Sequence, residues 1–168
     1  MFRNFILTIA LSASVFTTAC ATSSGANDVA DVNASVQRVI AAMSAKDING
    51  IMAYYVPDDS LFVYDLVPPR QYVGAAAYRK DWEGVLSLYP KTLTASVQDW
   101  KAETEGNMAY GHGIFRTVGP DKDGNPLDLT VRVTDVFKKI NGKWLVVHEH
   151  VSVPVDLATG KPDLSSKP

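Results

Sequence analysis

The sequence predicts an α+β domain, and three features of its 168 residues carry that reading. From Val29 onward apolar residues recur at helical spacing (Val32, Val36, Val39, Ile40, Met43), the stripe of an amphipathic helix. Four later runs, 92–104, 107–118, 127–140 and 143–153, alternate in polarity or are rich in β-forming residues. GPDKDGNP (119–126) and NGK (141–143) place turn residues between the last three runs, which joins them as antiparallel hairpins. Helices first and a strand meander later is an α+β order.

The chain opens with MFRNFILTIALSASVFTTAC: one basic residue, an apolar run from Phe5 to Phe16, then small residues up to Cys20. That three-part pattern is an export signal over 1–19 and is too short for a stable membrane span. Thr17-Thr18-Ala19-Cys20 resembles a lipobox, with Thr17 where Leu is usual, and predicts lipidation of Cys20 and a lipid anchor in the cell envelope. Ala19-Cys20-Ala21 also fits ordinary small-residue cleavage. Lipidation is the favoured reading, because a lone cysteine has no disulfide partner in an oxidising compartment.

Small polar residues make 20–28 a tether, and Asp28 is placed to cap the helix that follows. KDING interrupts the helical pattern, and IMAYY (51–55) reads as a second helix ended by Pro57. Leu61–Val67 is a short strand stopped by Pro68-Pro69, and Gly74–Leu88 is a third helix with Tyr78, Trp82 and Val85 on one stripe. The foldable domain spans 29–156, and residues 157–168 read as a loose tail. Without residues 1–19 the chain keeps 149 residues with 15 Lys+Arg and 18 Asp+Glu, since Arg3 is the one charge lost. This mildly acidic balance, with no basic run, argues against nucleic acid as a partner. Nothing in the sequence has the form of a nucleotide loop, a nucleophile elbow or a zinc cluster, so no cofactor is expected.

WLVVHEHVSVP (144–154) holds the densest polar chemistry. Successive strand side chains point to opposite faces, so His148 and His150 share one face and Glu149 takes the other. In the last two runs the odd positions (Val131, Val133, Asp135, Phe137; Val147, Glu149, Val151) form the apolar face, which should line the interior. Asp135 and Glu149 then sit in an apolar wall, where burial raises a carboxyl pKa and makes a general acid. His148 and His150 fall on the outer face with Arg132; two imidazoles without further ligands do not make a metal site. His112, in AYGHGIF, alternates with glycines and shares a face with Tyr110 and Ile114.

YYVPDDSLFVYD (54–65), PPRQYVGAAAYRKDW (68–82) and RVTDVFKKINGKWLVVHEHVSVP (132–154) together resemble the nuclear transport factor 2-like superfamily, in particular its SnoaL-like and ketosteroid-isomerase-like members. The last stretch is similar also to the association domain of calmodulin-dependent kinases. The resemblance implies a cystatin-like cone: a strongly curved antiparallel sheet with N-terminal helices across its mouth and an apolar pocket inside. It implies that Asp65 is a general base and that Asp135 is a carboxylic acid donating to an oxyanion. The tyrosine completing that oxyanion hole falls at Val39, which cannot donate; losing one such donor costs on the order of 10²–10³ in rate. The resemblance also turns the His112 face inward and implies a homodimer paired through the outer sheet face.

The expected catalytic set is Asp65, His112, Asp135 and Glu149. Tyr54, Phe62, Trp82, Trp100, Tyr110, Val133 and Val147 are the expected ligand wall. Two functions fit: proton-transfer catalysis, isomerase- or dehydratase-like, on a small apolar ligand, or a non-catalytic ligand-binding or assembly module of the cell envelope.

Overall fold

The computed structural model describes residues 22–166. The expected export signal, residues 1–19, and Cys20 lie outside the described residues. Three helices, α1 (Thr22–Ala45), α2 (Ile48–Met52) and α3 (Ala75–Ser87), accompany six strands. The strands are β1 (Phe62–Tyr64), β2 (Tyr72–Val73), β3 (Thr94–Glu105), β4 (Met108–Pro120), β5 (Pro126–Ile140) and β6 (Lys143–Ser152). They form one curved, unclosed sheet in the order β2-β1-β6-β5-β4-β3. The sheet is antiparallel except where β1 runs parallel to β6.

α1 buries Val32, Val36, Val39, Ile40 and Met43 against the sheet, as its spacing predicts. It begins at Thr22, through the stretch read as a tether. Asp28 does not cap it. Its carboxylate pairs with Lys139 of β5 at 2.5 Å, and the Lys139 ammonium lies 5.5 Å from the ring centre of Trp144. That pair and cation–π contact fasten the helix start to the β5–β6 hairpin. At the other end Ser44 Oγ accepts from the Ala95 N–H, occupying a donor of the edge strand β3. α2 is capped by Asp47, whose carboxylate accepts from the Asn49 N–H at 3.0 Å. It stops at Met52, so Tyr54 and Tyr55 lie beyond the helix rather than on it.

Two β-bulges decide which residues face inward. Between Gln98 and Lys101 the β3–β4 register slips, with Asp99 at φ 52°. Trp100 thereby lies over Gly111 and Gly113: a Cβ at Gly111 would stand 2.3 Å from the indole. The glycines are thus the inward residues of β4, with Ala109, Phe115 and Thr117. His112 and Tyr110 point to solvent, stacked on each other at 6.4 Å. The expected inward face of this strand is reversed.

The second bulge lies between β5 and β6. Val136 opposes His148 while Phe137 opposes Val146, which leaves Val147 as the extra residue. Before it the even residues Trp144 and Val146 point inward; after it the odd residues Glu149 and Val151 do. The odd-face rule therefore holds for Asp135, Glu149 and Val133 and fails for Leu145 and Val147. The tail, over its described residues 157–166, is held by backbone hydrogen bonds. Val155 bridges Pro162, and the Leu164 carbonyl accepts from the Thr130 N–H at 2.7 Å.

Candidate functional site

A cavity of about 80 Å³ opens between the helices and the inner sheet face. Its apolar wall comes from Val39 and Met43 of α1, Val85 of α3, Phe115 of β4, Val133 of β5 and Val151 of β6. Half-buried Asp65, Leu66 and Asp81 mark its mouth. The volume is far below the ~300–1,000 Å³ of clefts that enclose drug-sized ligands. A compound of more than a few heavy atoms must extend through the mouth or displace α3.

The floor is a cluster of carboxyls and phenols. Asp135 and Glu149 oppose each other across β5 and β6 and are 0% and 4% exposed. The Val146 N–H donates to the Tyr54 carbonyl, and the Val56 N–H donates to the Val146 carbonyl. This clamp carries two tyrosines under the carboxyls. Tyr54 OH donates to Asp135 at 2.8 Å and Tyr55 OH to Glu149 at 3.0 Å. A third phenol, Tyr78 of α3, donates to Glu149 at 2.5 Å and lies 3.2 Å from Asp65. Edge-on ring contacts of 5.2 Å, Tyr54 with Tyr55 and Tyr55 with Tyr78, fix the three relative to one another.

Burial, reinforced by the neighbouring carboxylates, pushes all three phenols well above their ordinary pKa, so they remain donors. Burial likewise raises both carboxyls. Asp135 goes well above the usual range, and the charge of Glu149 raises it further. Glu149 reaches about 7, restrained by the hydrogen bonds from Tyr78, Asp135 and Tyr55. Asp135 Oδ1 is buried with no donor aimed at it. A proton on Asp135, directed at Glu149, resolves both facts and leaves one negative charge for the pair, on Glu149. Asp65, at the end of β1, is raised by burial and by the charge of Asp81, which accepts a hydrogen bond from the Tyr72 hydroxyl at 2.6 Å.

Of the expected catalytic residues, Asp65 and Glu149 line one cavity, and Asp135 lies beside Glu149 on the neighbouring strand. His112 is on the opposite face of the sheet. Of the expected ligand wall, Tyr54, Trp82 and Val133 line the cavity. Trp100 packs on Phe115 and Phe137, and its Nε1 donates to Asn33. Phe62 is on the outer face against Tyr64 and His148. Tyr110 and Val147 are also outside the cavity, for the reasons the bulges give. The structure adds Tyr55, Tyr78 and Asp81 to the expected set. Tyr78, Asp81 and Trp82, three and four positions apart on α3, carried a readable signal, a polar-tipped stripe on one helix face. Trp82 Nε1 is buried beside the Tyr55 oxygen without a well-formed hydrogen bond, a donor available to an oxygen in the cavity. His148 Nδ1 is engaged by the Phe62 carbonyl at 2.8 Å, and His150 is exposed.

An inner sheet face capped by helices, with a cavity between them, defines a nuclear transport factor 2-like protein. The chain belongs to the SnoaL-like domain family, whose pattern matches residues 32–156. It is similar to the solved structure of a nuclear transport factor 2-like protein of unknown function from Pseudomonas putida KT2440. That similarity is 25% identity over 85% of this chain and 98% of the other, with TM-score 0.75. It shares its fold with a candidate dehydratase of the same family from Streptomyces avermitilis (16% identity, 76% and 97% covered, TM-score 0.64). The fold is shared also with a candidate calcium/calmodulin-dependent protein kinase II association domain from Xanthomonas campestris (21% identity, 84% and 96% covered, TM-score 0.61). No match is found among curated proteins.

Proposed function

We propose that this protein binds a small, largely apolar ligand bearing an oxygen, and catalyses proton transfer on it with Glu149 as the acid–base group. One observation carries the reading: Glu149 is the carboxylate of a buried pair, aimed into an apolar cavity and poised near neutral pH. An acid–base group works best when its pKa lies near the working pH. The carboxylate of Glu149 takes a proton from a carbon beside a carbonyl; the C–H electron pair becomes the new C=C bond and the carbonyl π pair moves onto the oxygen. The Trp82 N–H and protonated Asp65 are the donors at hand for oxygen atoms in the cavity. Collapse of the resulting enolate then returns the proton at another carbon, or expels a β-hydroxyl as water after protonation. The shared fold with a candidate dehydratase supports the second outcome.

The test is deuterium incorporation into a panel of small cyclic ketones and β-hydroxy ketones in heavy water. Wild-type protein should label the α-carbon and Glu149→Gln should not. Binding of the same probes without labelling by wild type would favour a non-catalytic binding module of the cell envelope. We further propose export and anchoring through Cys20, on the strength of the N-terminal pattern. Cys20→Ser should move the protein from the membrane fraction to the soluble one, and retention there would end that reading.

A further inference from the structure

Tyr78 has one hydrogen and two carboxylate neighbours. Its hydroxyl is 2.5 Å from Glu149 and 3.2 Å from Asp65, and the residue is 1% exposed. A phenol donates once and accepts through its lone pairs. With its hydrogen on Glu149, its oxygen is free to accept from Asp65, provided that Asp65 holds a proton. Asp65 is the cavity-mouth member of a second acidic pair: Asp81 lines the same mouth, and the electrostatic effect of its charge favours that proton on Asp65.

We propose that Tyr78 is a proton relay joining two carboxyl pairs, Asp65/Asp81 at the cavity mouth and Glu149/Asp135 at its floor. This rests on the reading of Glu149 as the acid–base group. In one turn of the relay the Asp65 O–H bond breaks and a new O–H bond forms on Tyr78. The original Tyr78 O–H bond breaks and one forms on Glu149. Asp65 is left as carboxylate and Glu149 becomes neutral; Tyr78 ends as it began, and one negative charge has moved from floor to mouth. Because the path runs through side chains, Glu149 can be reprotonated while a ligand fills the cavity. Tyr55 also donates to Glu149, but among the described residues its hydroxyl makes no hydrogen bond to a second carboxyl. The groups facing Glu149 are Tyr55 beyond α2, Tyr78 of α3, Asp135 of β5 and Asp65 after β1. Those facing Asp65 are Tyr78 and Asp81 of α3, with Tyr72 of β2 behind Asp81.

The experiment needs no ligand. Side-chain carboxyl carbons are followed by NMR across pH in wild type, Asp65→Asn, Tyr78→Phe and the double variant, with backbone amide spectra verifying the fold. Asp65→Asn should lower the Glu149 midpoint when Tyr78 is present. In the Tyr78→Phe background that lowering should shrink by at least about 0.4 pH unit, the small end of coupling within one hydrogen-bond network. Tyr55→Phe should leave the lowering intact. Equal lowering with and without Tyr78 would mean that the two carboxyls interact only through space, and would overturn the relay. Since the titration is read on the protein alone, absent catalysis on the ketone panel does not affect its outcome.

Discussion

Asp135 and Glu149 stand directly opposite one another on antiparallel strands, both carboxyls out of water, with three phenols and, among the described residues, no cation on them. The pair is therefore held by donors that cannot neutralise its charge, and folding favours its protonated form. A folded pKa of about 7 against a reference of 4.5 for Glu149 means the native state binds more protons than the unfolded one between those values. The stabilising contribution is complete below about 4.5 and is lost as pH rises through about 7. Melting at constant ionic strength should thus show higher stability at pH 5 than at pH 8, by on the order of 1–3 kcal/mol. Asp65, Asp81 and Asp135, also raised by burial, act in the same sense as Glu149, whereas Asp28, Asp58, Asp121 and Asp163, whose pKa values are lowered, act in the opposite sense below 3.8. Stability that rises from pH 5 to pH 8 would show that Glu149 is not protonated in the fold.

Tyr54→Phe and Tyr55→Phe each remove one buried hydroxyl and leave an oxygen short of a donor. Each should cost about 1–3 kcal/mol in urea unfolding. The two should differ in pH response. Tyr54 serves the neutral Asp135 and should give a flat cost, whereas Tyr55 serves Glu149 and should cost more at pH 8 than at pH 5. Identical pH profiles would place the charge of the pair elsewhere than on Glu149.

On β4 the structure separates two neighbours sharply. Gly111→Ala forces a methyl into the Trp100 ring and should destabilise by about 1–3 kcal/mol, with a change in tryptophan emission. His112→Ala, at an exposed position, should stay within about 0.5 kcal/mol of wild type. If His112→Ala were the more damaging, the two faces of β4 would have to be exchanged.

The outer sheet face gathers Phe62, Tyr64, Tyr110 and all three histidines of the chain. We propose that a second copy pairs through this face, so Tyr64→Glu should turn dimer into monomer in sedimentation at micromolar concentration. Wild-type protein that is monomeric under those conditions ends the proposal.

How far the sequence alone leads depends on where its periodicities break. The α1 stripe and the β5 alternation are unbroken, so the buried faces of both are readable, Asp135 included. β4 misleads because large side chains normally fill interiors. Here the bulge at Gln98–Lys101 sends a tryptophan from the neighbouring strand over two glycines, and the bulky Tyr110 and His112 are turned out. The extra residue lies in β3, so the alternation of β4 itself gives no sign of it; the misfit shows only against the partner. Which carboxyl each phenol reaches is hidden for another reason. Tyr54 and Tyr55 adjoin in sequence, yet they reach different carboxyls because the chain has left the helix and is bonded to Val146. Such non-local backbone pairing is set by the finished sheet.

The extra residue in β6 has a consequence for how this wall tolerates insertion and deletion. Val146 and Glu149 both point inward although an odd number of steps separates them. Loss of one residue between them would restore plain alternation and keep both pointing inward. Loss of one residue between Glu149 and Val151 would turn everything beyond the gap inside out. β6 thus has a single hinge of reading frame at Val147, and bulges increase local twist and bend. At that position the curvature of the wall can change by one residue's worth while Glu149 still faces the cavity. Shape and chemistry are adjustable independently there.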